Sequence, residues 1–216
     1  MQLYLSSYRF GNDPAWMLCA AAANRRVGVI QNALDGYSDL ALRRAQLERE
    51  FAGLAGLGLA PEELDLREYF GAEDRLRERV DQLSYLWVVG GNTFVLRRAM
   101  AASGLDRVLQ GWHGDERRVY GGYSAGACVL SPSLRGIHLA DEPEVRPAGY
   151  PAEAIWEGVN LIPFYVAPHY RSEHVESAAI ERTVEYFIDH KLPFVALRDG
   201  EALTLDDQTP WDFRVG

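Results

Sequence analysis

Residues Gly122-Tyr123-Ser124-Ala125-Gly126 spell G-x-S-x-G, set between the short apolar run Val119-Tyr120 and a stretch, Ala125 to Leu130, that reads as the first turns of a helix. A serine held on a tight strand-to-helix turn brings neighbouring backbone close, so the flanking positions must lack side-chain bulk. This spelling therefore demands a strand feeding directly into a helix across a layer boundary, with the serine hydroxyl standing above the sheet. The helix begins at the next residue, so the Ala125 amide has no acceptor a turn below it and points toward an oxyanion formed at Ser124.

The rest of the chain alternates in the same way. Leu3-Tyr4-Leu5 reads as strand, Trp16 to Asn24 as helix and Val27-Gly28-Val29-Ile30 as strand, a βαβ opening. Tyr37 to Ala52 reads as an amphipathic helix, with a glycine-rich break from Gly53 to Gly58 and a third strand at Leu64-Asp65-Leu66. Ala72 to Leu83 reads as helix. Tyr85-Leu86-Trp87-Val88-Val89 is the continuous apolar run of a strand covered on both faces. It stops at Gly90-Gly91-Asn92, and helices are expected over Thr93 to Ser103 and Leu105 to Trp112. Residues 131 to 158 carry Pro132, Pro143, Pro147 and Pro151 and form the least regular stretch, a functional or mobile loop by its length. Leu161 to Val166 leads to Pro168-His169-Tyr170, Glu173 to His190 reads as helix, and Asp199-Gly200 reads as a hairpin turn between Phe194-Leu197 and Ala202-Thr204. The expected architecture is α/β: a doubly wound, mostly parallel sheet with helices on both faces, whose ligands gather beyond the carboxyl ends of the strands. With no repeat or linker in its 216 residues, the chain reads as a single α/β domain over residues 1–216.

A formal charge of −9 without a basic stripe speaks against nucleic acid and acidic membrane surfaces as partners. The N-terminus lacks the cationic and apolar regions of a signal peptide, and no run approaches a membrane span. Cys19 and Cys128 lie far apart, so neither a disulfide framework nor a closely spaced zinc site is expected, and a cytoplasmic location follows. Cys128, four residues past the elbow serine and inside its helix, reads as packing.

A serine hydroxyl needs a base to act as a nucleophile near neutral pH. Of the five histidines, His113, His174 and His190 read as solvated surface groups, and His138 in the irregular stretch stays open. His169 is best placed, because it ends an apolar run as Ser124 and Gly90-Gly91 do. A third group should orient the imidazole, and Asp141-Glu142 offers two adjacent carboxylates. The amide of Gly91, in a glycine-rich turn at a helix start, is the expected partner of Ala125 in an oxyanion hole, with the Asn92 side chain capping the helix.

Five segments in order, Leu5-Ser6-Ser7-Tyr8-Arg9-Phe10-Gly11, Val89-Gly90-Gly91-Asn92-Thr93-Phe94, Tyr123-Ser124-Ala125-Gly126-Ala127, Ala167-Pro168-His169-Tyr170 and Ala196-Leu197-Arg198-Asp199-Gly200, resemble the peptidase E family of serine peptidases. The resemblance spans nearly the whole chain. It implies a fold like that of class I glutamine amidotransferases, with serine where those carry cysteine, and a Ser-His-acid triad of Ser124, His169 and Asp141, the acid standing just ahead of Pro143 with Glu142 as the alternative. The family's aspartyl dipeptidases are expected to use an arginine after the histidine to pair with a substrate carboxylate. Here Ala178 or Ala179 stands in that place, with only Arg171 and Arg182 nearby, so Asp-X specificity is not implied.

The expected activity is that of an exopeptidase or dipeptidase on short peptides, with no cofactor and no metal, since no metal-ligand cluster shows in the sequence. The exposed helices leave a homodimer open. Two other readings share these residues: an α/β-hydrolase-type esterase, and a non-catalytic relative that binds a peptide or metabolite in the same cleft.

Overall fold

The computed structural model describes residues 1–15 and 24–216. The helix expected over Trp16 to Asn24, with Cys19, falls almost wholly outside the described residues. In chain order the strands are β1 (Gln2–Ser6), β2 (Arg26–Ile30), β3 (Ala60–Glu63), β4 (Tyr85–Val88), β5 (Val119–Tyr123), β6 (Tyr165–Ala167), β7 (Phe194–Ala196), β8 (Ala202–Asp206) and β9 (Arg214–Val215). The helices are α1 (Leu40–Gly56), α2 (Glu73–Val80), α3 (Thr93–Ser103), α4 (Leu105–Gly111), α5 (Ala125–Cys128) and α6 (Ser177–Asp189).

Seven strands form one sheet in the order β3-β2-β4-β5-β1-β8-β9. The pairs from β3 to β1 are parallel, and β8 and β9 close the edge antiparallel. The expected mostly parallel, helix-covered α/β sheet is therefore the fold. Every residue of β4 and β5 is buried, as strands covered on both faces require. The β1 and β5 strands run in register from Gln2 against Val119 to Ser6 against Tyr123, so their carboxyl ends finish level. That rim carries Ser7 and Ser124.

Several local expectations give way to tertiary context. The first long helix starts at Leu40, where Asp39 Oδ1 accepts the Leu42 amide, and it runs through Gly53 to Gly56. The third strand lies at Ala60–Glu63, with Leu66–Tyr69 as a 3-10 turn; Pro61 is tolerated because β3 is the sheet edge. Asp199-Gly200 departs furthest from expectation. These residues do not join a hairpin: β7 pairs parallel with β6 in a separate two-stranded sheet, while β8 pairs with β1 in the main one. The intervening turn crosses from one sheet to the other.

The α6 helix explains the small sheet. Ile180, Thr183, Val184 and Phe187 recur at helical spacing and are buried, facing a cluster with Tyr165 and Ala167. The proline-rich stretch 131–158 is tied down by arginines of α3. Fully buried Arg98 donates to the carbonyls of Glu153 (3.0 Å) and Val145 (3.1 Å), and Arg97 donates to that of Glu157 (2.8 Å). Among the described residues no helix is long and apolar enough to cross a membrane.

Candidate active site

Ser124 has φ 50° and ψ −115°, a conformation that L side chains rarely adopt and the expected signature of a nucleophile held on an elbow. The turn around it tolerates nothing larger than glycine at position 126: a Cβ there would lie 2.3 Å from the Val88 carbonyl oxygen of β4. Tyr120 Oη donates to the Gly126 carbonyl (2.7 Å) and pins α5 against the sheet. The strand end beside it is equally crowded. A Cβ on Gly90 would approach Ser124 Cβ at 3.0 Å, and one on Gly91, whose φ is 140°, would meet the Ala33 carbonyl at 2.7 Å. Asn92 caps α3 through Oδ1, which accepts the Val95 amide at 2.9 Å, as its position before the helix predicts.

His169, only 1% exposed, leaves the end of β6 with φ 57°. Its amide donates to Ser7 Oγ at 2.7 Å, which ties it to the end of β1. Its ring nitrogen Nδ1 lies 2.7 Å from Asp199 Oδ1. Asp199 is fixed in turn: its Oδ1 accepts from Ser7 Oγ (2.8 Å) and its amide donates to Ser172 Oγ (2.8 Å). A carboxylate on Nδ1 places the proton there and leaves the Nε2 lone pair facing the cavity. Burial lowers the His169 pKa, a shift that Asp199 opposes and neighbouring His174 reinforces, so the ring is held as a neutral base.

Ser124, His169, Gly90 and Gly91 line one cavity of about 260 Å³, together with Tyr8, Tyr37, Arg43, Gln46 and Arg49 and the pair His174 and Glu176. No hydrogen bond joins the Ser124 hydroxyl to His169 among the described residues, although the two line the same cavity. Catalytic hydrogen bonds of this kind are often long without substrate.

The structure does not bring Asp141 or Glu142 to the imidazole. Asp141 Oδ2 accepts the Thr93 amide at 2.8 Å, at the N-terminus of α3, and Glu142 is exposed, its carbonyl accepting from Asn92 Nδ2. The carboxylates nearest His169 are instead Asp199, at Nδ1, and Glu176, 3.8 Å from Nε2. The reason is topological: parallel pairing of β6 with β7 sends His169 and Asp199 off the same strand ends, a proximity that a hairpin at 199–200 would not produce. Desolvation nevertheless pushes the Asp141 carboxyl up to about 7, and raises that of Glu176 as well.

Cys128 is buried with its thiol donating to the Val166 carbonyl, and burial pushes its pKa well up, so it packs, as its place in the helix predicts. His138 accepts the Gly136 amide and stays in the irregular stretch. Arg171 lies over the Tyr170 ring and Arg182 donates to the Ala178 carbonyl; neither lines the cavity. The cationic wall comes from α1, a source the sequence signalled only as a helix face. Contrary to expectation, His169, His174 and Glu176 do converge as a group that could hold a metal ion.

The family model of peptidase family S51 matches residues 43–210, which include the elbow, His169 and Asp199. This chain belongs to peptidase family S51. Among similar proteins, peptidase E of Streptomyces coelicolor is 31% identical over 154 residues, covering 68% of this chain and 59% of that protein. An uncharacterized peptidase of Pasteurella multocida is 27% identical over 148 residues, covering 68% of this chain and 67% of that one. A crystal structure from Listeria monocytogenes EGD-e, named for peptidase E, superposes with a TM-score of 0.74 at 22% identity, covering 100% of this chain and 97% of that one. The last comparison speaks for the fold alone.

Proposed function

We propose that the chain is a serine peptidase that hydrolyses short peptides, with Ser124 as nucleophile, His169 as general base and then acid, and Asp199 as the residue that orients the imidazole. Ser124 Oγ attacks the peptide carbonyl while its proton passes to His169 Nε2. The amides of Gly91 and Ala125 face the resulting oxyanion. Collapse of the tetrahedral intermediate expels the amine, which takes the proton from His169, and leaves an acyl-enzyme that water hydrolyses by the same steps in reverse order. The single observation that carries this reading is a strained elbow serine sharing a cavity with a histidine whose Nδ1 is already fixed by a carboxylate.

The cavity's cations support binding of a carboxylate from the α1 side. Arg43 is engaged by Asp35, whereas Arg49 is exposed at the wall and is the better placed to meet the carboxylate of a short peptide. The decisive experiment is a dipeptide library with wild type and Ser124→Ala side by side, read by released amino acid. Undiminished release by Ser124→Ala would remove the serine mechanism. Ester cleavage without peptide cleavage would favour the esterase reading, and tight peptide binding without turnover or fluorophosphonate labelling would favour a non-catalytic binder.

A further inference from the structure

One donor atom from each of His169, His174 and Glu176 lies within 4.8 Å of the other two. Two imidazoles and one carboxylate are the donor set that borderline-soft divalent ions such as zinc take up. His169 already has the outer partner that zinc-binding histidines share: Nδ1 is held by Asp199, so Nε2 is turned to the cavity with its lone pair free. Glu176 Oε2 stands 3.8 Å from that nitrogen, close to the donor spacing of a tetrahedral ion with bonds of about 2.0–2.1 Å.

We infer that this trio is an inhibitory zinc site, in which Zn²⁺ occupies the His169 nitrogen that would otherwise accept the Ser124 proton. The binding part stands on the trio's geometry; the inhibitory part rests on the serine peptidase reading. A metal lies in the plane of each ring that binds it, yet the rings of His169 and His174 stack 3.6 Å apart and nearly parallel, at 8°. One ring must turn. His169 is locked by hydrogen bonds to Ser7 and Asp199, whereas the partly exposed His174 ring has, among the described residues, one side-chain hydrogen bond, 3.3 Å from the Glu176 amide to its Nδ1, besides its ring contacts with Tyr8 and His169, so His174 is the ring that moves. Ion capture is therefore a binding event with one moving ligand, reversed by a chelator, and no bond is made or broken in the protein.

The test is titration of Zn²⁺ into metal-free protein, by calorimetry and by competition with a chromophoric zinc chelator, with circular dichroism confirming that each variant is folded. The expected result is one ion per chain, affinity weakened at least about 10-fold by His174→Ala and by Glu176→Gln, and unchanged by Ser124→Ala. Mg²⁺ should not compete, because it prefers oxygen donors. Peptide turnover and fluorophosphonate labelling should fall with the same zinc midpoint and return on adding EDTA, each variant being compared with its own zinc-free value. No saturable binding, or binding that both variants retain, would overturn the site. Zinc that binds with the predicted variant pattern yet leaves turnover unaltered, or raises it, would overturn the inhibitory role. Because binding is read without turnover, a chain that proved inactive on every peptide would refute the peptidase reading while the titration still decided the metal site.

Discussion

At the scale of single residues, the central choice is between two aspartates for one histidine. Asp199 touches His169 Nδ1, and Asp141 instead accepts the first amide of α3. Asp199→Asn should lose roughly 10⁴-fold in kcat, because the amide favours the wrong imidazole tautomer, with little change in KM. Asp141→Asn should lose less than about 10-fold. Steady-state kinetics on one cleaved dipeptide compares the two, and the opposite ranking would return the triad to Asp141. The pH profile gives a second readout. Burial lowers the His169 pKa, so the acidic limb of kcat/KM should titrate below the ordinary histidine value of about 6.5. Asp199 raises that pKa, so the residual activity of Asp199→Asn should titrate at still lower pH. Arg49→Ala should raise KM about 10-fold for dipeptides, and much less for their C-terminal amides, if its guanidinium meets the terminal carboxylate.

At the scale of elements, the strand ends and the turns that leave them position the chemistry. The α5 helix is a single turn, too short to hold itself, and stays in place because Gly126 packs on the β4 backbone and Tyr120 bonds the Gly126 carbonyl. Gly126→Ala forces a methyl to within 2.3 Å of the Val88 carbonyl oxygen unless the backbone moves. The expected cost is about 1–3 kcal/mol in urea unfolding, with kcat falling further than stability alone explains, because the shift displaces Ser124 and the Ala125 amide together. A variant with wild-type stability and turnover would show that the elbow has slack. The α3 helix plays the complementary part. Its arginines fasten the proline-rich stretch that the sequence marked as irregular, and Asn92 and Asp141 meet at its first turn.

At the scale of the whole molecule, several desolvated carboxyls set how stability follows pH. Burial raises those of Asp141, to about 7, and of Glu50 and Glu176; Glu50 is on the buried face of α1, where its Oε2 accepts from Trp87 Nε1. A carboxyl whose folded pKa exceeds its unfolded one contributes stability that is fully present below the unfolded value and is lost as pH rises through the folded value. Asp65 works in the other direction. The Arg67 side chain and amide and the Asn32 side chain hold it down, against the opposing effect of burial, at about 2, so its contribution is present above the unfolded value near 4 and is lost as pH falls toward 2. The urea midpoint should therefore peak near pH 4 and decline toward pH 8. Asp141→Asn should flatten that decline, gaining about 2 kcal/mol over wild type at pH 8 relative to pH 5. A parallel decline in both proteins would show that Asp141 ionises without cost. The same scale divides what was legible in the chain from what was not. Period-two and period-3.6 patterns, a buried apolar run and glycines at turns act over a few residues, so the α/β class, the elbow at Ser124, the cap at Asn92 and the strand-end place of His169 could be read directly. The partner of His169 could not, because a turn's residue types do not say which sheet the next strand will join. Only the pairing of β7 with β6 and of β8 with β1, chosen by long-range hydrogen bonding and by the apolar face of α6, carried Asp199 to the imidazole and gathered His174, Glu176 and the arginines of α1 around one cavity.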